Sequence, residues 1–128
     1  MGRLRASVEV QNVSEPDKRI RFDALVDTGA SHLVLPLAWR ERLGRLDETR
    51  RVKLVSTTQD LLEGAVCGPV RIQVEGFEPI HSEVLFVQMQ MRDGDYDPLL
   101  GYIPLEQCQA AVDMLGHRLV RVSYLDLK

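Results

Sequence analysis

The chain has 128 residues, with 16 Lys and Arg against 19 Asp and Glu, a formal charge of −3 and 45% hydrophobic residues. That is room for one globular domain, 1–128, and it excludes disordered and collagen-like chains. The slight acidity, with no Lys/Arg run longer than a pair, argues against a phosphate-tracking nucleic-acid surface.

No segment predicts membrane insertion: the longest apolar run, Leu33 to Trp39, is seven residues and contains Pro36, against the ~18 that a spanning helix needs. The basic start, Met1-Gly2-Arg3-Leu4-Arg5, leads into alternating polar residues and not into a signal-peptide apolar stretch. Cys67 and Cys108 lie 41 positions apart without a CxxC pair, so free buried thiols and a cytoplasmic setting are expected.

Period-two alternation dominates, which predicts short half-buried strands. Leu4, Ala6, Val8 and Val10 alternate with polar residues, Ser14 to Lys18 turns the chain, and Ile20, Phe22, Ala24 and Val26 alternate again up to Asp27. A strand over 32–35 stops at Pro36, and Leu37 to Leu43 reads as a short helix closed by Gly44. Strands at Val52 to Val55 and Leu61 to Val66 flank a hairpin tip, Ser56-Thr57-Thr58-Gln59-Asp60. Val70 to Val74 and Ile80 to Val87 continue the pattern, 89–97 is a polar loop, and Pro98 to Gly101 is briefly apolar. Pro104 to Ala111 has helical spacing with Leu105, Cys108 and Val112 on one face, and Arg118 to Tyr124 alternates as a last strand. The sum is an all-β chain of about eight strands and two short helices.

Chemistry concentrates at Ala24-Leu25-Val26-Asp27-Thr28-Gly29-Ala30-Ser31, where an apolar strand runs into an acid and a tight turn. Asp is disfavoured in strands and rarely buried without partners. Gly29 lets the backbone approach the carboxylate so that main-chain N–H groups can donate to it. As a bare triplet Asp-Thr-Gly is weak evidence, since strand-ending turns favour the same residues. A second element, Leu99-Leu100-Gly101 ahead of the helix at Pro104, makes a two-part pattern.

Together these residues resemble the active-site loop and its supporting segment in retropepsin-like aspartic proteases, and the resemblance covers roughly residues 20 to 125. It implies a closed, mostly antiparallel β-barrel of the acid protease type, with one lobe per chain and no metal or cofactor. It also implies that Asp27 is catalytic, that Thr28 hydrogen-bonds across a two-fold axis, that Gly29 holds an extended peptide and that Leu99, Leu100 and Gly101 support the loop. Such chemistry needs two carboxylates sharing one proton. One short chain carries one Asp-Thr-Gly, so the resemblance implies a homodimer in which Asp27 meets its copy. The partners expected are a second copy and a peptide or protein substrate.

Two departures shape the expectations. Ala30 stands where two-lobed relatives carry a hydroxyl that stabilises the carboxylate, which favours activity at mildly acidic to near-neutral pH; Ser31 stands where retroviral enzymes usually carry an acid. The flap, placed at Ser56 to Asp60, lacks both glycines and tyrosine. That keeps a second function open, a dimeric peptide-binding module that does not cleave. Arg21 or Phe22, Leu33, the flap and Ile103 are expected in the subsite walls.

Other motifs fail. Asp93, Asp95 and Asp97 alternate like a calcium loop, but Pro98 and Pro104 replace its Gly and Glu. Ser31-His32 near Asp27 lacks a G-x-S-x-G elbow, and adjacent strand residues face opposite ways. His32, His81 and His117 share no metal-ligand spacing, and Trp39 reads as a packing residue.

Overall fold

The computed structural model describes residues 3–55 and 61–122. Among the described residues, nine strands, a 3-10 helix and one short α-helix follow in the order β1 (Arg5–Asn12), β2 (Arg19–Val26), β3 (Leu33–Pro36), the 3-10 helix Leu37–Leu43, β4 (Asp47–Val55), β5 (Leu61–Val74), β6 (Ile80–Val87), β7 (Leu99–Leu100), α1 (Tyr102–Gln107), β8 (Ala110–Asp113) and β9 (Arg118–Arg121). Seven strands form one sheet in the order β1-β2-β7-β3-β6-β5-β4, and β1 also pairs with β5, so the sheet turns back on itself. β8 and β9 form a separate two-stranded sheet.

Alternation explains the register. In β1 and β2, Val8, Val10, Ile20 and Ala24 point inward, and the same periodicity carries Ile72 and Val74 of β5 and Val84 and Phe86 of β6 into one core. β3 is short and buried along its whole length because both of its faces are covered. Leu33 and Leu35 enter the main core, while Val34 joins a second cluster with Val66, Leu85 and Val87.

The pairing is mostly antiparallel, as expected, with two exceptions: β2 pairs with β7 and β3 pairs with β6 in parallel. The two-residue β7 lies between β2 and β3, parallel to one and antiparallel to the other. Local pattern could not show this, because 51 to 74 positions separate the partners.

Three boundaries also differ. Val70 to Val74 is not a separate strand: β5 runs from Leu61 to Val74 through a cis Gly68-Pro69 bond, with its register to β6 shifting between Cys67 and Val70. Gly-Pro reads as a turn in sequence, but here it marks a bulge. The helix expected over Pro104 to Ala111 is displaced to Tyr102–Gln107, because Gln109 adopts φ +60° and Ala110–Asp113 becomes β8, paired with β9. Leu105 and Cys108 are buried as expected, but Val112 is an exposed strand residue. β4 begins at Asp47, earlier than its hydrophobic residues suggest. Of the last strand expected, Arg118–Arg121 is observed, and Ser123 and Tyr124 lie outside the described residues.

One polar side chain staples the loops at one end of the sheet. Asn12, buried at the end of β1, donates through Nδ2 to the carbonyls of Leu43 (2.7 Å) and Arg45 (2.9 Å), while its Oδ1 accepts from the backbone N–H of Ser14 (2.8 Å). The 3-10 helix starts from Pro36 and closes on Gly44 at φ +71°, as Pro and Gly at those places dictate.

Candidate active site

β2 delivers Asp27 to the surface immediately past its last residue, Val26. The Asp27 N–H donates to the Leu100 carbonyl (3.0 Å) and the Asp27 carbonyl accepts from the Ala30 N–H (3.1 Å), which closes a tight turn. Within that turn the Gly29 N–H donates to Asp27 Oδ1 at 2.9 Å. A side chain at position 29 would place its Cβ 3.2 Å from the same oxygen, so glycine keeps the carboxylate close to the backbone donor. Asp27 is half-buried, and Thr28 and Gly29 are exposed in the single chain.

Leu99, Leu100 and Gly101 do meet this turn. The Leu25 N–H donates to the Pro98 carbonyl (2.8 Å), the Gly101 N–H to His32 (3.0 Å), Tyr102 to Ala30 (2.9 Å) and Ile103 to Ser31 (3.0 Å). Gly101 has ordinary extended angles, φ −84° and ψ −178°, so any residue could adopt its conformation. What demands glycine is space, since a Cβ there would collide with the carbonyls of His32 and Ala30, lying 2.6 Å from the latter.

Ser31 and His32 do not behave as alternating strand residues. They lie in the bend before β3, and Ser31 Oγ approaches His32 Nδ1 to 2.7 Å. His32 is buried, at 9% exposure, and burial first, then the positive charge of Arg50, lowers its pKa below the usual imidazole value, against an opposing pull from Glu83.

An apolar patch that sequence reasoning did not pick out borders this loop. The second cluster, Val34, Val66, Leu85 and Val87, packs against Ala30 of the turn, Val52 and Leu54 of β4, and Leu99. Only its mixed origin hides it, as no single strand carries more than two of its members.

Of the expected subsite residues, Leu33 is fully buried in the main core and cannot line a cleft. Phe22 is turned against Trp39 at a ring separation of 5.3 Å, and Ile103 is half-buried in α1. The residues expected to form the flap, Ser56, Thr57, Thr58, Gln59 and Asp60, lie outside the described residues; β4 and β5, on either side of them in sequence, pair up to Val55 and Leu61.

A cleft of about 830 Å³ lies elsewhere, where Phe22, Trp39 and Tyr96 meet several arginines and aspartates; none of its walls comes from 27–31 or 99–101. The former calcium-like acids are accounted for there: Asp93 holds a tight turn at φ +51°, and Asp97 accepts an ion pair from Arg5 at 2.7 Å. Among the described residues no helix is long and apolar enough to cross a membrane.

A ring-like sheet that presents an Asp-Thr-Gly turn at the end of β2, braced by a Leu-Leu-Gly segment, is a retropepsin-like fold. The chain belongs to the aspartyl protease family, whose profile matches residues 7–102. Among solved structures it is similar to the EIAV protease complexed with the inhibitor HBY-793, at 23% identity and a TM-score of 0.55, over 82% of this chain and 86% of that one. It is also similar to the retroviral protease-like domain of Ddi1 from Leishmania major, at 17% identity and a TM-score of 0.61, over 97% and 91% of the two chains. No curated protein matches the chain.

Proposed function

We propose that the protein is an aspartic endopeptidase whose active site forms when Asp27 of two copies meets across a two-fold axis. The observation that carries this reading is the Asp27 turn, a carboxylate held by a backbone N–H at a strand end and open to one side. A lone exposed turn of this kind is half of a dyad. A symmetric dimer completes it without further sequence, because an isologous contact brings the same residue from both copies together. Thr28, exposed beside Asp27, then reaches the partner loop and fixes the two carboxylates side by side.

Two carboxylates this close share one proton. The ionised Asp27 takes a proton from a bound water as that water attacks the peptide carbonyl, and the protonated partner donates to the carbonyl oxygen. The tetrahedral adduct then collapses, the C–N bond breaks and the amine leaves protonated, with no covalent enzyme intermediate. Gly29, which has no side chain to obstruct approach, offers its backbone to an extended peptide lying as an added strand. Ala30 and Leu99, half-buried at the edge of the second apolar cluster, favour apolar substrate side chains next to the scissile bond.

The returning sheet is taken as one closed lobe, all 128 residues as one domain, and the two buried unpaired cysteines suit a reducing, cytoplasmic setting. The non-glycine flap sequence favours a second reading, a dimeric peptide-binding module of the same fold.

The test is cleavage of a peptide library by wild type and Asp27→Asn, with the mass in solution measured alongside. Cleavage lost in Asp27→Asn, from a dimer, supports the protease. Cleavage that survives the substitution, or a strictly monomeric active protein, overturns it. An inert wild-type dimer across pH 3 to 8 that still binds peptide selects the binding module.

A further inference from the structure

Only two polar side chains are buried among the described residues, Asn12 and His32. Asn12 is committed to its staple. His32 takes no part in the proposed chemistry, yet it sits five residues from Asp27 in the same loop. A buried titratable ring is costly to keep unless its position does something that an apolar residue could not.

Its contacts run in two directions. Through its carbonyl, which accepts the Gly101 N–H at 3.0 Å, it joins the brace between the Asp27 turn and α1. Through its ring it holds the Ser31 hydroxyl at 2.7 Å, while the Ser31 carbonyl accepts from Ile103. The charged groups acting on the ring are Arg50 of β4 and Glu83 of β6, and Glu83 is already engaged by the Thr49 hydroxyl at 2.7 Å.

We propose that His32 is a proton-sensitive positioning residue, which sets the direction of the Ser31 hydroxyl and so couples the geometry of the Asp27 loop to pH. The neutral ring has one lone pair. When that lone pair is on Nδ1, Ser31 donates to it and turns the lone pairs of Oγ away from the ring as acceptors. Protonation from solvent fills both ring nitrogens with N–H. Nδ1 must then donate, Oγ must accept, and the hydroxyl hydrogen swings outward, so an acceptor in the Asp27 loop becomes a donor. The new positive charge also faces Arg50, while its one compensating carboxylate, Glu83, is shared with Thr49. The direction of the shift agrees, with burial and Arg50 both favouring the neutral ring.

The inference rests on the protease reading only for its effect on activity, and the decisive measurement avoids cleavage altogether. In Asp27→Asn, which has no dyad to titrate, NMR spectra are followed from pH 8 to 4.5. The His32 ring is expected to titrate with a midpoint below 6.5, and the amides of 28–32 and 101–103 to shift with that same midpoint. In Asp27→Asn/His32→Gln the loop shifts at that midpoint vanish. In Asp27→Asn/Ser31→Ala, a milder change, His32 still titrates while the amides of 28–30 cease to follow it. A His32 midpoint at or above 6.5, or loop amides that keep their midpoint without His32, overturns the proposal.

With Asp27 intact, the acid limb of kcat/KM moves to lower pH in His32→Gln. That variant retains about tenfold more of its neutral-pH value than wild type does, one unit below the His32 midpoint. Loop coupling seen by NMR in a protein that never cleaves leaves the positioning role standing and removes the protease. Cleavage without coupling does the reverse.

Discussion

Gly101→Ala isolates the contribution of one close approach between backbones. The residue lies at φ −84°, so alanine meets no conformational penalty and the entire effect is steric. An added Cβ would lie 2.6 Å from the Ala30 carbonyl oxygen and 2.7 Å from the Ser31 carbonyl carbon, far inside the ~3.5–4 Å of ordinary contact. The brace must therefore separate, which strains the hydrogen bonds from Gly101, Tyr102 and Ile103 to His32, Ala30 and Ser31. Overpacking costs about 1–3 kcal/mol, and each net hydrogen bond contributes about 0.5–1.5 kcal/mol. With partial loss of the three bonds, the expected destabilisation is about 2–5 kcal/mol. Urea unfolding reads this directly. Gly76→Ala is the control: it sits at φ +90° with nothing within 4 Å of its Cβ, so only a conformational cost of about 1 kcal/mol is expected there. A Gly101→Ala protein destabilised by less than 1 kcal/mol, or by no more than Gly76→Ala, would refute the close-approach argument.

Asn12→Ala is expected to cost about 2–4 kcal/mol in the same assay, because it leaves the Leu43, Arg45 and Ser14 backbone groups without their partner; a loss below 1 kcal/mol would show that the staple is dispensable. Cys67 and Cys108 are buried, and burial pushes both thiols up, so neither should react with a thiol reagent at pH 8 until urea unfolds the chain; prompt labelling of native protein would contradict their packing. The exposed Arg5–Asp97 pair should show a double-mutant coupling of only about 0.2–1 kcal/mol, shrinking with added salt, and a salt-independent value would point to a less solvated contact. His32 gives stability a pH dependence. Its folded-state pKa lies below 6.5, so the unfolded chain binds more protons as pH falls through the window beneath 6.5. Stability is at its full value above that window and declines on descending through it, and His32→Gln should flatten the slope.

What could be read in the chain divides by the range of the interactions involved. β6 was legible to the residue because Ile80 to Val87 lies between turn residues and ends in an apolar run, Val84 to Val87, and the Asp27 turn was legible because an acid at the end of an apolar strand conflicts with its surroundings unless it has a use. Leu99-Leu100-Gly101 could be matched to the turn by resemblance, but its placement between β2 and β3 depends on pairing across 65 to 74 positions. The displaced helix shows a different limit. Ala110, Ala111 and Val112 suit either state, and the decision belongs to Gln109 in the left-handed region and to β9, which offers β8 a partner. Ser31 and His32 were misread for a related reason, as the alternation rule holds inside strands and these two residues lie just before one. The apolar patch around Val34 is assembled from several elements, so no window along the chain could display it.

The two-residue β7 has a consequence for how the molecule comes into being. Asp27 lies in the first quarter of the chain, but the carbonyl that fixes its backbone belongs to Leu100, and the backbone groups that hold its loop belong to Gly101, Tyr102 and Ile103. A chain leaving the ribosome exposes the acid early and completes its setting only when about four-fifths of the 128 residues have been made. Contacts of such long separation form late and slowly. Under the protease reading, an unfinished or truncated chain therefore carries its acid without the means to use it.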